Sequence, residues 1–145
     1  MASTVRERIL QRIYTRLLNA FPTQGVYRSR TAAVARKEGT PLVISPLQGQ
    51  TQAISETEDR NEFAVQIEVI ARGDPWDAEA DQVIAAVHPF IVRPSDFDGE
   101  PLWDEVRTAG GDYQEYDADG DAGSLKQIYR FTYLSARADL TKYVG

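Results

Sequence analysis

Residues 63–69 read Phe63-Ala64-Val65-Gln66-Ile67-Glu68-Val69, with a bulky apolar side chain at every second position. This period of two is typical of a β-strand that has one buried and one hydrated face. A strand of that kind must bury its apolar face against a second layer of structure. The stretch therefore predicts a sheet that is covered on one side.

A helix is predicted upstream of this strand, from Val5 to about Ala20. Thr4 and Glu7 match a capping box, in which a hydroxyl and a carboxylate each satisfy a free backbone N–H at the helix start. Pro22 ends the helix. One apolar stripe follows at helical spacing and consists of Val5, Ile9, Leu10, Ile13, Leu17, Leu18 and Phe21.

A second helix is predicted directly after the strand. Asp74 can cap it and Pro75 suits its first position. Pro89 lies inside the pattern, so the helix should stop or kink around His88. Its buried stripe consists of Ala80, Val83, Ile84, Val87 and Ile91.

The remaining chain is rich in short strand patterns. Residues 31–39 are interpreted as a connection, 56–61 as an acidic surface turn, and 93–124 as a flexible acidic loop and hairpin region. The further predicted strands are 25–28, 41–45, 50–56, 103–107, 113–116 and 125–135. The uncertain ones are 50–56 and 103–107.

The element order α-β-β-β-α-β-β-β predicts an α+β fold. Helices separated by runs of antiparallel strands favour a mostly antiparallel sheet with two main helices packed on one face and a long closing β-hairpin. A chain of 145 residues fits one domain, residues 1–145, and is long enough to bury its own core without a metal or disulfide.

The charge is unevenly distributed along the sequence. Residues 1–37 contain eight basic residues and one acidic residue, a net charge of +7, whereas residues 38–145 contain eight basic and 21 acidic residues, a net charge of −13. Arg8, Arg12 and Arg16 lie four residues apart and are predicted to line one exposed ridge of the first helix. The pattern is compatible with ordinary solvated faces or with head-to-tail association of subunits.

Catalytic and metal-binding chemistry finds little support in the sequence. There is no cysteine, and His88 is the one histidine, so it is expected to be structural. A calcium loop that starts with the run Asp117-Ala118-Asp119-Gly120-Asp121 would need glycine at its sixth position and glutamate at its twelfth, where this chain has Ala122 and Ile128. The run is therefore interpreted as a hairpin turn. Phosphate-binding glycine motifs are absent. We therefore expect no enzyme, no cofactor and no metal.

The two tryptophans leave two alternatives open. Trp76 and Trp103 either fold back onto the core or anchor a subunit contact, where tryptophan is favoured. The net charge of −6 argues against specific nucleic-acid binding. Without an apolar run long enough for a membrane span or a signal peptide, the chain is expected in the cytoplasm.

The order of elements and the closing hairpin resemble a known family. The hairpin comprises Tyr113 to Tyr116, an acidic Asp-Gly turn at 117–122, and the aromatic strand Ile128-Tyr129-Arg130-Phe131-Thr132-Tyr133. Together with the arginine-bearing first helix, this is similar to the tail terminator proteins of long-tailed bacteriophages, also called minor tail or tail completion proteins. The similarity runs over most of the chain.

This resemblance implies a structural virion protein in the tail or neck, assembled in the host cytoplasm. Such a protein forms a homo-oligomeric ring, expected to be a hexamer, that caps the tail tube, ends its polymerisation and joins a head-completion or connector protein while genomic DNA passes through. Alternatives are another neck or head-completion component, or a small-ligand-binding α+β domain.

A ring requires two different patches on each subunit. We expect the arginine ridge to meet acidic residues of a neighbouring copy. The expected interface residues are Arg8, Arg12, Arg16, Glu58, Asp59, Glu62, Asp117, Asp119, Asp121, Trp76 and Trp103.

Overall fold

The computed structural model describes residues 2–29, 40–73, 75–116 and 121–145. In chain order the elements are α1 (Val5–Ala20), β1 (Val26–Arg28), β2 (Leu42–Ala53), β3 (Glu58–Arg72), α2 (Trp76–Ile91), a 3-10 turn (Ser95–Asp98), β4 (Glu105–Glu115), β5 (Ala122–Ala136) and β6 (Asp139–Tyr143). The predicted α+β class is confirmed.

One six-stranded sheet contains all these strands. Its order is β1-β2-β3-β5-β4, and β6 pairs with β5 on the same side as β4. Only the short β1–β2 pair is parallel among the described strands. The central strands β3 and β5 are fifteen residues each and pair along their whole length.

Both helices pack on the same face of the sheet. The alternating side chains predicted from 63–69 point into this core, where Phe63 stands opposite Phe131 and Val65 opposite Tyr129. Ala80, Val87 and Ile91 of α2 and Ile9, Ile13 and Leu17 of α1 belong to the same buried cluster. The opposite face carries polar side chains such as Gln66 and Arg130, and neither of the two described helices packs on it.

The first helix follows its prediction with two differences. The hydroxyl of Thr4 accepts a hydrogen bond from the backbone N–H of Glu7 at 3.1 Å. The carboxylate of Glu7 accepts two bonds from Arg28 of β1, at 2.7 and 2.9 Å, in place of the second half of the capping box. Leu18, assigned to the apolar stripe, is 41% exposed, because it lies at the margin of the face that α1 buries.

The second helix continues past the predicted stop. It runs through Pro89 to Ile91, with Pro75 at the N-cap position. Val87 and Ile91 flank the proline and are fully buried, so their packing offsets the single backbone hydrogen bond that proline removes. Asp74, the predicted cap, lies outside the described residues.

Several predicted strands are joined in the structure. Segments 41–45 and 50–56 form the single strand β2, with an irregular register between Pro46 and Gly49. Segments 103–107 and 113–116 form β4, with a similar irregularity between Thr108 and Gly111. Proline and glycine mark bulges here and not strand ends. The acidic turn at 56–61 is also wrong in part, since β3 begins at Glu58.

The short strand β6 was not among the predicted elements, and residues 31–39 lie outside the described part of the chain. No helix of the described chain has the length and hydrophobicity to cross a membrane.

Candidate functional site

Arg16 of α1 is the most deeply buried charged group of the described residues, with a side chain that is 3% exposed. Its guanidinium donates to both carboxylate oxygens of Asp98 at 2.8 Å. It also donates to the backbone carbonyls of Phe90 at 3.0 Å and Pro94 at 2.8 Å. A planar guanidinium with several fixed donors suits this bidentate arrangement.

Arg8 and Arg12 extend the same set of contacts along α1. Arg12 donates to the carbonyl of Glu100 at 2.6 Å and also reaches the carbonyl of Ser95. Arg8 binds the carboxylate of Glu100 at 2.8 Å and the carbonyl of Thr141. We call Arg8, Arg12 and Arg16 the arginine ladder. It fastens the segment 93–101 to α1.

The prediction of an exposed ridge is therefore wrong for Arg12 and Arg16. Helical spacing correctly places the three arginines on one face. It does not reveal what covers that face, and the covering residues lie more than seventy positions further along the chain. Burial lowers the pKa of Arg12, consistent with a guanidinium that is withdrawn from water.

Asp98 is the acidic partner of this ladder. The hydrogen bonds from Arg16 hold the pKa of the Asp98 carboxyl below its ordinary value, with smaller electrostatic contributions from Arg16 and Arg12. Its side chain is 35% exposed, so water still screens part of the interaction. The contact is intrachain, and it uses the very cations that were expected to face a neighbouring subunit.

Trp103 lies in the core and is 4% exposed, in agreement with the first of the two alternatives that the sequence left open. Its ring meets Phe131 edge-on at 4.9 Å, and the guanidinium of Arg16 lies 5.2 Å from the ring centre. Buried Ser95 donates its hydroxyl to the carbonyl of Trp103 and accepts from the N–H of Leu102. These bonds position the tryptophan over the end of the sheet.

Trp76 is half-buried at the start of α2. Its indole packs over Gly123 of β5 so closely that a Cβ at Gly123 would lie 2.5 Å from the ring. The ring centre of Tyr113 is 6.3 Å away. Part of the indole is accessible to solvent, so its predicted interface role remains a prediction.

The acidic interface candidates lie on separate elements. Glu58, Asp59 and Glu62 belong to β3 and are partly exposed. Asp59 pairs with Arg137 at 3.1 Å. Asp121 precedes β5, and its carbonyl accepts from the N–H of Gly73 at 2.7 Å. Asp117 and Asp119 lie outside the described residues. In the described part of the chain, the carboxylates that bind the arginine ladder are instead those of Asp98 and Glu100.

His88 joins α2 to the sheet. Its Nδ1 lies 2.9 Å from the hydroxyl of Tyr129, which is fully buried on β5. Burial raises the pKa of Tyr129 to about 12. The imidazole therefore completes a partly buried hydrogen bond between two elements, a contact that fits the structural role expected from the sequence.

The described surface contains several grooves. One, of about 510 Å³, lies between residues 92–106 and Tyr143 and is lined by residues that include Asp96, Asp104 and Glu105. Among the described residues, no three His, Cys, Asp or Glu side chains are placed to share a metal ion.

Two edges of the sheet have no partner strand among the described residues. One belongs to β2 and the other to β4. A sign of the first is visible in the sequence, because no charged residue occurs between Glu38 and Glu56.

Comparison with known proteins gives similarity at the level of the fold. No family model matches the chain, and no curated protein is similar to it in sequence. A chain in the solved virion of a native gene transfer agent particle superposes with a TM-score of 0.60 at 17% identity, over 85% of this chain and 92% of that chain. A second solved structure, whose description gives no function, has a TM-score of 0.50 at 14% identity, over 88% and 92% of the two chains.

Proposed function

We propose that this chain is a structural subunit of a phage-like virion that closes into a ring on the end of the tail tube. The ring ends tube polymerisation and presents the surface that joins the tail to the head. Its partners are further copies of itself, expected to number six, the tail tube protein and a head-completion or connector protein. Genomic DNA passes through the ring.

One observation carries this proposal: the fold is shared with a subunit of a gene transfer agent virion. The likeness extends over 85% of this chain and 92% of the other, so it includes the whole sheet-and-helix arrangement and not a single motif. Fold similarity alone does not define a function, and the finer role rests on the resemblance of the element order and closing hairpin to tail terminators.

The distribution of polar groups supports a structural role. Four of the five buried charged or polar side chains of the described residues, Arg16, Asn61, Ser95 and Ser135, bind other groups of the chain. They fix segments of the described chain to one another. A scaffold that must meet several protein partners requires shape and rigidity more than a reactive centre.

The proposal is tested first by mass and then by capping. Light scattering after gel filtration, over a range of concentrations, should give a discrete ring, and negative-stain images should show a central opening. Tube protein from the same genome should form shorter tubes when the chain is added during assembly, with the chain located at tube ends. Tubes of unchanged length and bare ends would contradict the terminator role.

The same experiment separates the alternatives. A ring that binds an isolated head connector but not tube ends indicates a different neck component. A strictly monomeric chain whose melting temperature rises with a small molecule favours a ligand-binding domain, because a ligand of the native state raises its stability.

A further inference from the structure

The β2 edge of the sheet is unpaired over most of its length. β1 pairs only with Leu42–Ile44 at the beginning of β2. From Ser45 to Ala53 the strand is bonded to β3 on one side, and no strand within the described ranges lies on its other side. Backbone groups on such an edge form a template for a further strand.

The β4 edge is the second unpaired edge, on the opposite side of the sheet. β4 pairs with β5 on one side, and in the described part of the chain its other side has no partner. All but one of its eleven residues are exposed. It contains neither proline nor lysine, which proteins often place on edges to prevent pairing.

The two edges differ in charge. The β2 edge is uncharged and carries Leu47, 46% exposed, and Ile54 just beyond it, 48% exposed. The β4 edge carries more acidic than basic side chains, namely Glu105, Asp112 and Glu115 against Arg107. An acidic edge can therefore meet the uncharged edge of another copy without repulsion between like charges, whereas two acidic β4 edges would repel each other.

We infer that β2 of one copy pairs with β4 of the next copy, so that the sheet continues from subunit to subunit. The inference rests on the ring proposed above and names the surfaces that form it. Each copy uses two different edges, which is the heterologous contact that a closed ring needs. Ring closure leaves neither edge exposed.

Strand direction agrees with this pairing. Along β2-β3-β5-β4 every neighbour is antiparallel, so β2 and β4 of one subunit run in opposite directions. Rotation of a copy about an axis roughly parallel to the strands preserves these directions. The β4 strand of one copy then meets the β2 strand of the next in an antiparallel arrangement, which gives well-aligned hydrogen bonds.

Engineered disulfides test the contact directly, because the chain contains no native cysteine. Gln50→Cys or Gln52→Cys on β2 is combined with Glu105→Cys or Gln114→Cys on β4, so that the four pairs scan the register. Mild oxidation of at least one pair should give a ladder of covalent multimers that ends at the ring size on a non-reducing gel. The matched control, Gln11→Cys with Gln82→Cys on the exposed faces of the two helices, should remain monomeric on the gel.

The second measurement compares the self-association of two double variants that carry opposite charges on the β2 edge. Gln50→Glu with Gln52→Glu should weaken self-association about tenfold or more, because it opposes the acidic β4 edge, and the loss should shrink in high salt. Gln50→Lys with Gln52→Lys should associate at least as strongly as the unmodified chain. Gln66→Glu and Gln66→Lys, on the central strand β3, should both leave association unchanged.

The outcomes separate this inference from the proposed function. The pairing is supported if the cysteine variants form covalent multimers and if the Glu and Lys variants at Gln50 and Gln52 have opposite effects on self-association. A ring that forms while all four cysteine pairs stay uncrosslinked overturns the pairing and leaves the ring proposal standing. A chain that is monomeric at every concentration and with tube protein, and gives no ladder, overturns both.

Discussion

The segment 93–104 and the outer half of the β2–β3 hairpin, residues 46–60, differ in opposite ways. The segment contains one turn of 3-10 helix, whereas the hairpin is paired over nearly its whole length. Yet the segment buries Ser95, Leu102 and Trp103, while residues 46–57 of the hairpin are exposed. Regular hydrogen bonding and tertiary anchoring are thus separate properties, and irregular backbone can be the more firmly held.

The largest effect is expected from Arg16→Ala, which removes the anchor of segment 93–104. The substitution leaves Asp98 and several carbonyls without their donor, so unfolding free energy should fall by about 3–5 kcal/mol. Urea unfolding measures this loss. Arg16→Lys keeps the charge without the planar fork and should lose less. A loss below about 1 kcal/mol for Arg16→Ala would mean that the ladder contributes little.

A smaller loss of stability is expected from Gly123→Ala, at a position that is closely packed. The comparison is with a glycine of the exposed hairpin. The added methyl group would overlap the Trp76 ring, so stability should fall by about 1–3 kcal/mol. Gly49→Ala on the exposed hairpin is the matched control, where the Cβ has an ordinary 3.4 Å contact and the change should stay within about 0.5 kcal/mol. Thermal melting of both variants checks the contrast, and equal shifts would contradict it.

The smallest effect concerns the pH dependence of the same anchor. Since the folded-state pKa of Asp98 lies below its ordinary value of 3.8, its stabilisation is present above about pH 4 and is lost as the pH falls through the folded-state pKa. The stability difference between the unmodified chain and Asp98→Asn should therefore be larger at pH 7 than at pH 3. Urea unfolding at both pH values tests this, with Asp96→Asn as the exposed control. An identical difference at both pH values would exclude the linkage.

The sequence was sufficient to predict those features that depend on the residues of a single helix or strand. The Thr4 cap, the stripe of α1 and the alternation of β3 and β5 depend on spacing within a single segment, and all appear in the structure. The joined strands β2 and β4 were divided because Pro46 and Gly110 look like ends until their partners show that the ladder continues past them.

The candidate site was harder to predict because it depends on distant partners. The arginines of the ladder share a face by spacing, but the segment that covers them is specified only by the tertiary fold. Trp103 likewise has polar and glycine-rich neighbours in sequence, and only its packing on Phe131 shows that it is buried. Sequence separation conceals such contacts, while charge and periodicity reveal only which side chains are available for them.

The contact between His88 and Tyr129 has a practical consequence for studies of assembly. A chain with one histidine gives one set of imidazole proton resonances in an NMR spectrum, free from overlap with other rings of that type. Because that ring bridges α2 and β5, its chemical shift reports whether the helix stays seated on the sheet. The molecule thus carries its own spectroscopic label at the junction of its two layers, and no added probe is needed to follow that junction as subunits come together.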